Sequence, residues 1–111
     1  MGVPFRQIMN EIASLLGDTH CWLENETFDI EEIAIRYHHR LVQIHPFPNG
    51  NGRHARLLAD VIVVKNGREP STWGRQELAD VGLARADYIQ YLQAADVNND
   101  DIQGLLKFAR R

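Results

Sequence analysis

Within twelve residues, His45 to Arg56, the chain places an imidazole, two guanidinium groups and two Asn-Gly steps. Histidine is the side-chain type that gives and takes protons near neutrality, which makes His45 a candidate general base. Gly50 and Gly52 admit positive φ and leave room for an anion to touch the backbone. Arg53 and Arg56 follow three residues apart, a spacing that sends both from one side of a helical turn. Their planar forks of N–H donors suit phosphate oxygens. A helix starting right after the glycines adds unpaired first-turn amides and the positive end of its dipole. A base facing such a cradle is a layout for phosphoryl or nucleotidyl transfer. An Asn-Gly-Asn-Gly loop alone is usually only a turn; His45, Arg53 and Arg56 at these offsets give it chemistry.

Positioning these groups requires a helix before the loop and another after it. Asp29 followed by Glu32 has capping-box spacing, and Ile30, Ile33, Ala34, Tyr37, Leu41 and Ile44 mark one helical face that Pro46 stops near Ile44. Residues 45–52 are expected to be irregular. Leu57, Leu58, Val61, Ile62 and Val64 predict the buried face of the next helix, with Gly67 as its stop. Upstream, Phe5, Ile8, Met9, Ile12, Leu15 and Leu16 predict a first helix opened by Pro4 and ended by Gly17 and Asp18, with a loop over 18–28. Downstream, weaker helices are expected around 75–81 and 84–95, the latter packing through Tyr88, Ile89, Leu92 and Ala95. A last helix carries Ile102, Leu105, Leu106 and Phe108, capped by Asn99 or Asp100. No strand-like alternation stands out. The fold class is all-α, one domain of five or six helices over residues 1–111.

Length and composition fit that reading. A chain of 111 residues, 44% apolar and 24% charged, is one globular domain with enough core to fold without staples. A single cysteine, Cys21, forms no internal disulfide, and apolar runs are too short to span a bilayer. With no signal-peptide pattern, a cytoplasmic location is expected. The net charge of −3 excludes a coat for nucleic acid or for an anionic membrane. That charge is segregated, however. Residues 33–59 hold no Asp or Glu, but contain Arg36, Arg40, Arg53, Arg56 and four of the five histidines. Arg36 and Arg40 read as a solvated face pairing with nearby acids, and His38 and His39 as solvent-facing or core-edge residues. Trp22 and Trp73 read as packing residues.

The stretch His45-Pro46-Phe47-Pro48-Asn49-Gly50-Asn51-Gly52-Arg53-His54-Ala55-Arg56 resembles the signature of the Fic family, HPFx[D/E]GNGRxxR, at every fixed position but one. The resemblance extends to the flanking helices and to Arg85-Ala86-Asp87-Tyr88-Ile89, and is similar to the subgroup called mobile mystery protein B. It implies a Fic-type protein adenylyltransferase, moving AMP from ATP to a Ser, Thr or Tyr hydroxyl of a target protein. His45 would be the base, Phe47 an anchor of the loop in the core, and Gly50, Asn51 and Gly52 the anion hole around the α- and β-phosphates. Arg53 would bind the phosphates, and Arg56 the γ-phosphate or an inhibitory glutamate. Mg²⁺, or Mn²⁺, is the implied cofactor.

The departure is Asn49, where the family has an Asp or Glu that binds the metal. A neutral carbonyl lowers affinity for a hard cation, so nucleotide binding is expected with weakened or altered transfer. The alternative is a catalytically impaired nucleotide- or partner-binding module, such as a toxin–antitoxin component. The family's β-hairpin flap is expected to be missing upstream, together with the N-terminal region, and no inhibitory [S/T]xxxE[G/N] motif is found. Regulation would then come from elsewhere, such as an antitoxin-like chain. Phosphorylation, carried out by relatives with a motif lysine, is disfavoured because no Lys occurs between residues 1 and 64.

Overall fold

The computed structural model describes residues 5–46, 50–71, 73, 81–98 and 101–110. Among them, a 3₁₀ turn, Phe5–Gln7, leads into five helices: α1 Ile8–Asn25, α2 Ile30–Ile44, α3 Asn51–Lys65, α4 Val81–Val97 and α5 Gln103–Ala109. No strand occurs among the described residues, so the fold is all-α as the periodicity predicts. No helix among them is long and apolar enough to cross a membrane. Pro4, most of the expected 75–81 helix, and the expected caps Asn99 and Asp100 lie outside the described residues.

The fold is organised around α2, which touches all four other helices. Ile33, Ala34, Ile35, Tyr37, His38, His39, Leu41 and Ile44 are all buried, so the helix is covered on most of its circumference. The Asp29 side chain caps it by accepting from the Glu31 N–H at 3.2 Å. That bond, with Arg68 nearby, holds the Asp29 carboxyl below the usual range. The capping box does not close, because Glu32 pairs with Arg36 at 3.0 Å instead.

Two sequence expectations fail on α1 and α3. α1 runs straight through Gly17 and ends at Asn25, where Glu26 takes a left-handed conformation (φ 50°) and donates its N–H to the Trp22 carbonyl. A helical glycine costs only about 1 kcal/mol relative to alanine, too little to stop a helix that packing supports. Trp22 is thus helical, and packs edge-on against Phe28 with ring centroids 5.6 Å apart. On α3 the buried face is Ala55, Ala59 and Val63, while Leu57, Leu58, Val61 and Val64 are exposed. Small side chains let α3 lie close along α2: Ala55 joins the cluster of Leu15, Tyr37, Leu41 and Ile44, and Ala59 and Val63 pack with Ala34. α3 ends in a Schellman motif, with Gly67 at φ 79°, Gly67 N–H to Val64 O at 3.1 Å, and Arg68 N–H to Val63 O at 2.9 Å.

α4 and α5 close the other side of α2 through Ile35, Ala95, Ile102, Leu105 and Ala109, whereas Ile89 is exposed. Ile102 is the N-cap of α5 and makes no side-chain cap bond. The returning linker is fastened to α3 by Asp60, whose Oδ1 accepts from the Ser71 N–H and from Trp73 Nε1, both at 3.1 Å. Trp73 is also tied to α5, donating its N–H to the Ala109 carbonyl at 2.9 Å.

Candidate active site

His45 terminates α2. The preference of a residue before proline against the right-handed helical region makes this a natural stopping point. It takes a left-handed conformation (φ 55°, ψ 57°) as C-cap, donating its N–H to the Leu41 carbonyl at 3.1 Å. Its imidazole is exposed and makes no hydrogen bond or ion pair with a described residue. Only five residues, 46–50, separate it from α3, so the end of α2 and the start of α3 are necessarily neighbours. Phe47, Pro48 and Asn49, including the expected metal position, lie outside the described residues.

α3 starts one residue after Gly50, so Asn51 and Gly52 belong to its first turn and are not loop. Gly50 is the N-cap in a left-handed conformation (φ 73°), it supplies no side-chain cap, and the first turn holds no acid. α1 and α2, by contrast, carry Glu11 and the Asp29–Glu31–Glu32 group at their starts. The α3 amides and dipole are therefore uncompensated by acidic side chains of the first turn, an arrangement that favours an anion. Gly52 is glycine for a different reason. It is helical, and a Cβ there would stand 3.3 Å from Arg56 Nη1 and 3.4 Å from Tyr88 Oη.

The arginines divide sharply. Arg36 pairs with Glu32, Arg40 with Asp18 at 2.6 Å, Arg68 with Asp29 and Glu31, and Arg110 with Glu31 at 2.7 Å. Arg53 and Arg56 have no carboxylate partner among the described residues. Among the described residues, Arg36 and Arg40 of the acid-free stretch are thus paired with carboxylates and the two motif arginines are not. The two motif arginines have different neighbours. Arg53 lines an open pocket of about 360 Å³ with Gly50, His54 and Leu57. Arg56 lies against Gly52, with its Cζ 5.2 Å from the centre of the Tyr88 ring. Asn51 is buried.

His38 and His39 are neither solvent-facing nor at the core edge; both are fully buried. His39 Nε2 bonds Asp96 Oδ1 at 2.8 Å, and His38 Nε2 bonds the Tyr88 hydroxyl at 2.8 Å. His38 also packs on Trp73, 4.8 Å between ring centroids. Its Nδ1 is buried without a well-formed hydrogen bond. Burial, helped by the nearby Arg56 and His39 and partly opposed by the Ala55 backbone, pushes its pKa down to about 3. Tyr88 packs as the helical spacing predicts, but its hydroxyl bond to His38 is not foreseen from a His38 expected to be solvent-facing or at the core edge. The signal for its burial is that His38 stands four residues after Ala34 and three before Leu41, on the buried side of α2.

Among the described residues no three His, Cys, Asp or Glu side chains cluster to hold a metal. The first acid after the loop, Asp60, is engaged by Ser71 and Trp73.

The Fic/DOC family profile matches residues 2–63. A protein adenylyltransferase Fic from Nematostella vectensis is 40% identical over 80 residues, covering 72% of this chain and 17% of its own length. The protein adenylyltransferase Fic of Aedes aegypti is 34% identical over 101 residues, 91% of this chain and 18% of its own. A probable protein adenylyltransferase of Aquifex aeolicus (strain VF5) is 49% identical over 57 residues, 50% and 18% respectively. The chain spans less than a fifth of the length of these relatives.

Proposed function

Because the chain belongs to the Fic/DOC family, we propose that it forms the core of a protein adenylyltransferase, transferring AMP from ATP to a Ser, Thr or Tyr hydroxyl of a target protein. The observation that carries this reading is the pair Arg53 and Arg56, without carboxylate partners beside an α3 N-terminus with no acidic first turn, one short loop from an exposed imidazole. Relatives named protein adenylyltransferase point the same way. Similarity to the mobile mystery protein B subgroup is part of the same reading and rests on the sequence.

In this mechanism the triphosphate sits on the α3 first turn, with Gly50, Asn51 and Gly52 supplying backbone donors and Arg53 and Arg56 supplying charge. His45 takes the proton of the target hydroxyl as its oxygen attacks the α-phosphorus. The bond from that phosphorus to the oxygen bridging the β-phosphate breaks, and pyrophosphate leaves. Catalysis is positioning and charge neutralisation. Mg²⁺ or Mn²⁺ carried on the phosphates would add further neutralisation, and Asn49, with a neutral oxygen, is the motif residue that would hold it.

The test is incubation of the protein in its full-length form with ATP labelled on the α- or the γ-phosphate. Transfer of the α-label alone, lost in His45→Ala, supports the reading, and Asn49→Asp should raise activity and sharpen its metal dependence. Saturable ATP binding with no transfer, under either metal, favours the second reading that Asn49 suggests: an impaired nucleotide- or partner-binding module. Dependence on an added antitoxin-like chain would identify the regulator.

A further inference from the structure

The second motif arginine, Arg56, is not loose. Arg56 rests over the face of Tyr88, within the range at which a guanidinium and an aromatic ring attract. Tyr88 is held from behind: its hydroxyl bonds His38 on α2, and its ring packs on Phe108 of α5 with centroids 5.6 Å apart. His38 is in turn packed against Trp73. In front stands Gly52, where a side chain would approach both Arg56 and the Tyr88 hydroxyl closely. Three helices thus converge on the placement of one guanidinium at the first turn of a fourth.

We propose that Tyr88 is a positioning residue for Arg56, its ring locked by His38 so that the guanidinium is presented at the α3 N-terminus before a nucleotide arrives. The proposal rests on the reading that this N-terminus receives a triphosphate. Pre-placement matters because an arginine side chain otherwise loses rotamer freedom on binding. The anchor keeps one charge state over the working range, because the depressed basicity of buried His38 leaves it neutral. It therefore adds no second positive charge behind Arg56.

The experiment is a double-mutant cycle on ATP affinity, by calorimetric titration of the full-length protein with Tyr88→Leu, Arg56→Ala and the double variant. Tyr88→Leu should weaken ATP about fivefold, the scale of a partly buried cation–ring contact. In the Arg56→Ala background the same substitution should change nothing. Tyr88→Phe, which keeps the packing volume and guards against a variant that fails to fold, should weaken ATP about twofold, again only with Arg56 present. A residue that merely supports the fold would weaken binding equally in both backgrounds. That result, or ATP binding unchanged in both Tyr88 variants, overturns the proposal and leaves the transferase reading intact. If the parent protein binds no ATP at all, the transferase reading falls first and this proposal with it.

Discussion

Replacing His45 by glycine removes the candidate base together with the side chain that makes its backbone conformation costly. At φ 55° and ψ 57° His45 occupies the left-handed region, where an L-residue pays about 1–2 kcal/mol relative to a right-handed turn. Glycine carries no such penalty, though it returns about 0.5–1 kcal/mol through its freer unfolded chain. The exposed imidazole contributes no hydrogen bond or ion pair to a described residue, so its loss subtracts little. His45→Gly should therefore be more stable than His45→Ala by about 1 kcal/mol. For a chain of 111 residues that separates their melting temperatures by about 4 °C. Asparagine, which tolerates this conformation, should fall between them. The assay is reversible thermal melting followed by circular dichroism, run beside the α-label transfer assay, in which all three variants should be silent. A glycine variant that melts at or below the alanine variant would refute the strain argument. Transfer retained by any of the three would remove His45 from its role.

Three further outcomes are expected. His38 is neutral in the fold and titrates near 6.5 when unfolded, so the unfolded state binds the extra proton as the pH falls from about 6.5 toward 3. Stability should be complete above pH 7 and fall by about 2 kcal/mol from this group by pH 5, with the His38 ring resonances unmoved across that range; a ring that titrates above pH 5 contradicts the burial argument. Gly52→Ala should leave the melting temperature equal or slightly higher, by helix propensity, while weakening ATP severalfold through displacement of Arg56; parental ATP affinity would show that the close approach is irrelevant. Gly104→Ala would set a Cβ into the face of Tyr91 across the α4–α5 contact, and urea denaturation should register a loss of about 1–3 kcal/mol.

The frame of the site is legible in the sequence because local chemistry determines it. Asp29 starts α2, Pro46 limits its end to Ile44, and Gly50 opens α3. What resists reading is set by neighbours. α3 offers two apolar stripes, one of Leu and Val and one of Ala and Val, and only the short loop back to α2 selects the smaller one by demanding close approach. Gly17 looks like a stop because its cost is local, while the packing that offsets it comes from α2. His38 and His39 look polar until their partners, Tyr88 and Asp96, arrive from fifty or more residues away. Gly52 invites an argument from φ, yet the structure uses it for clearance.

The enclosure of α2 has a consequence beyond stability. A rod packed along most of its circumference has one soft coordinate left, sliding along its own axis, and here both ends resist it: Asp29 grips the first turn and His45 folds the chain back on the last. Since in-line chemistry tolerates errors of about half an ångström, under the proposed transferase reading the axial register of this rod would set where the imidazole of His45 stands relative to its substrate. That register is shared by every helix that touches α2. Substitutions that tune the reaction rate should therefore turn up at buried positions far from the loop, wherever they nudge the rod lengthwise.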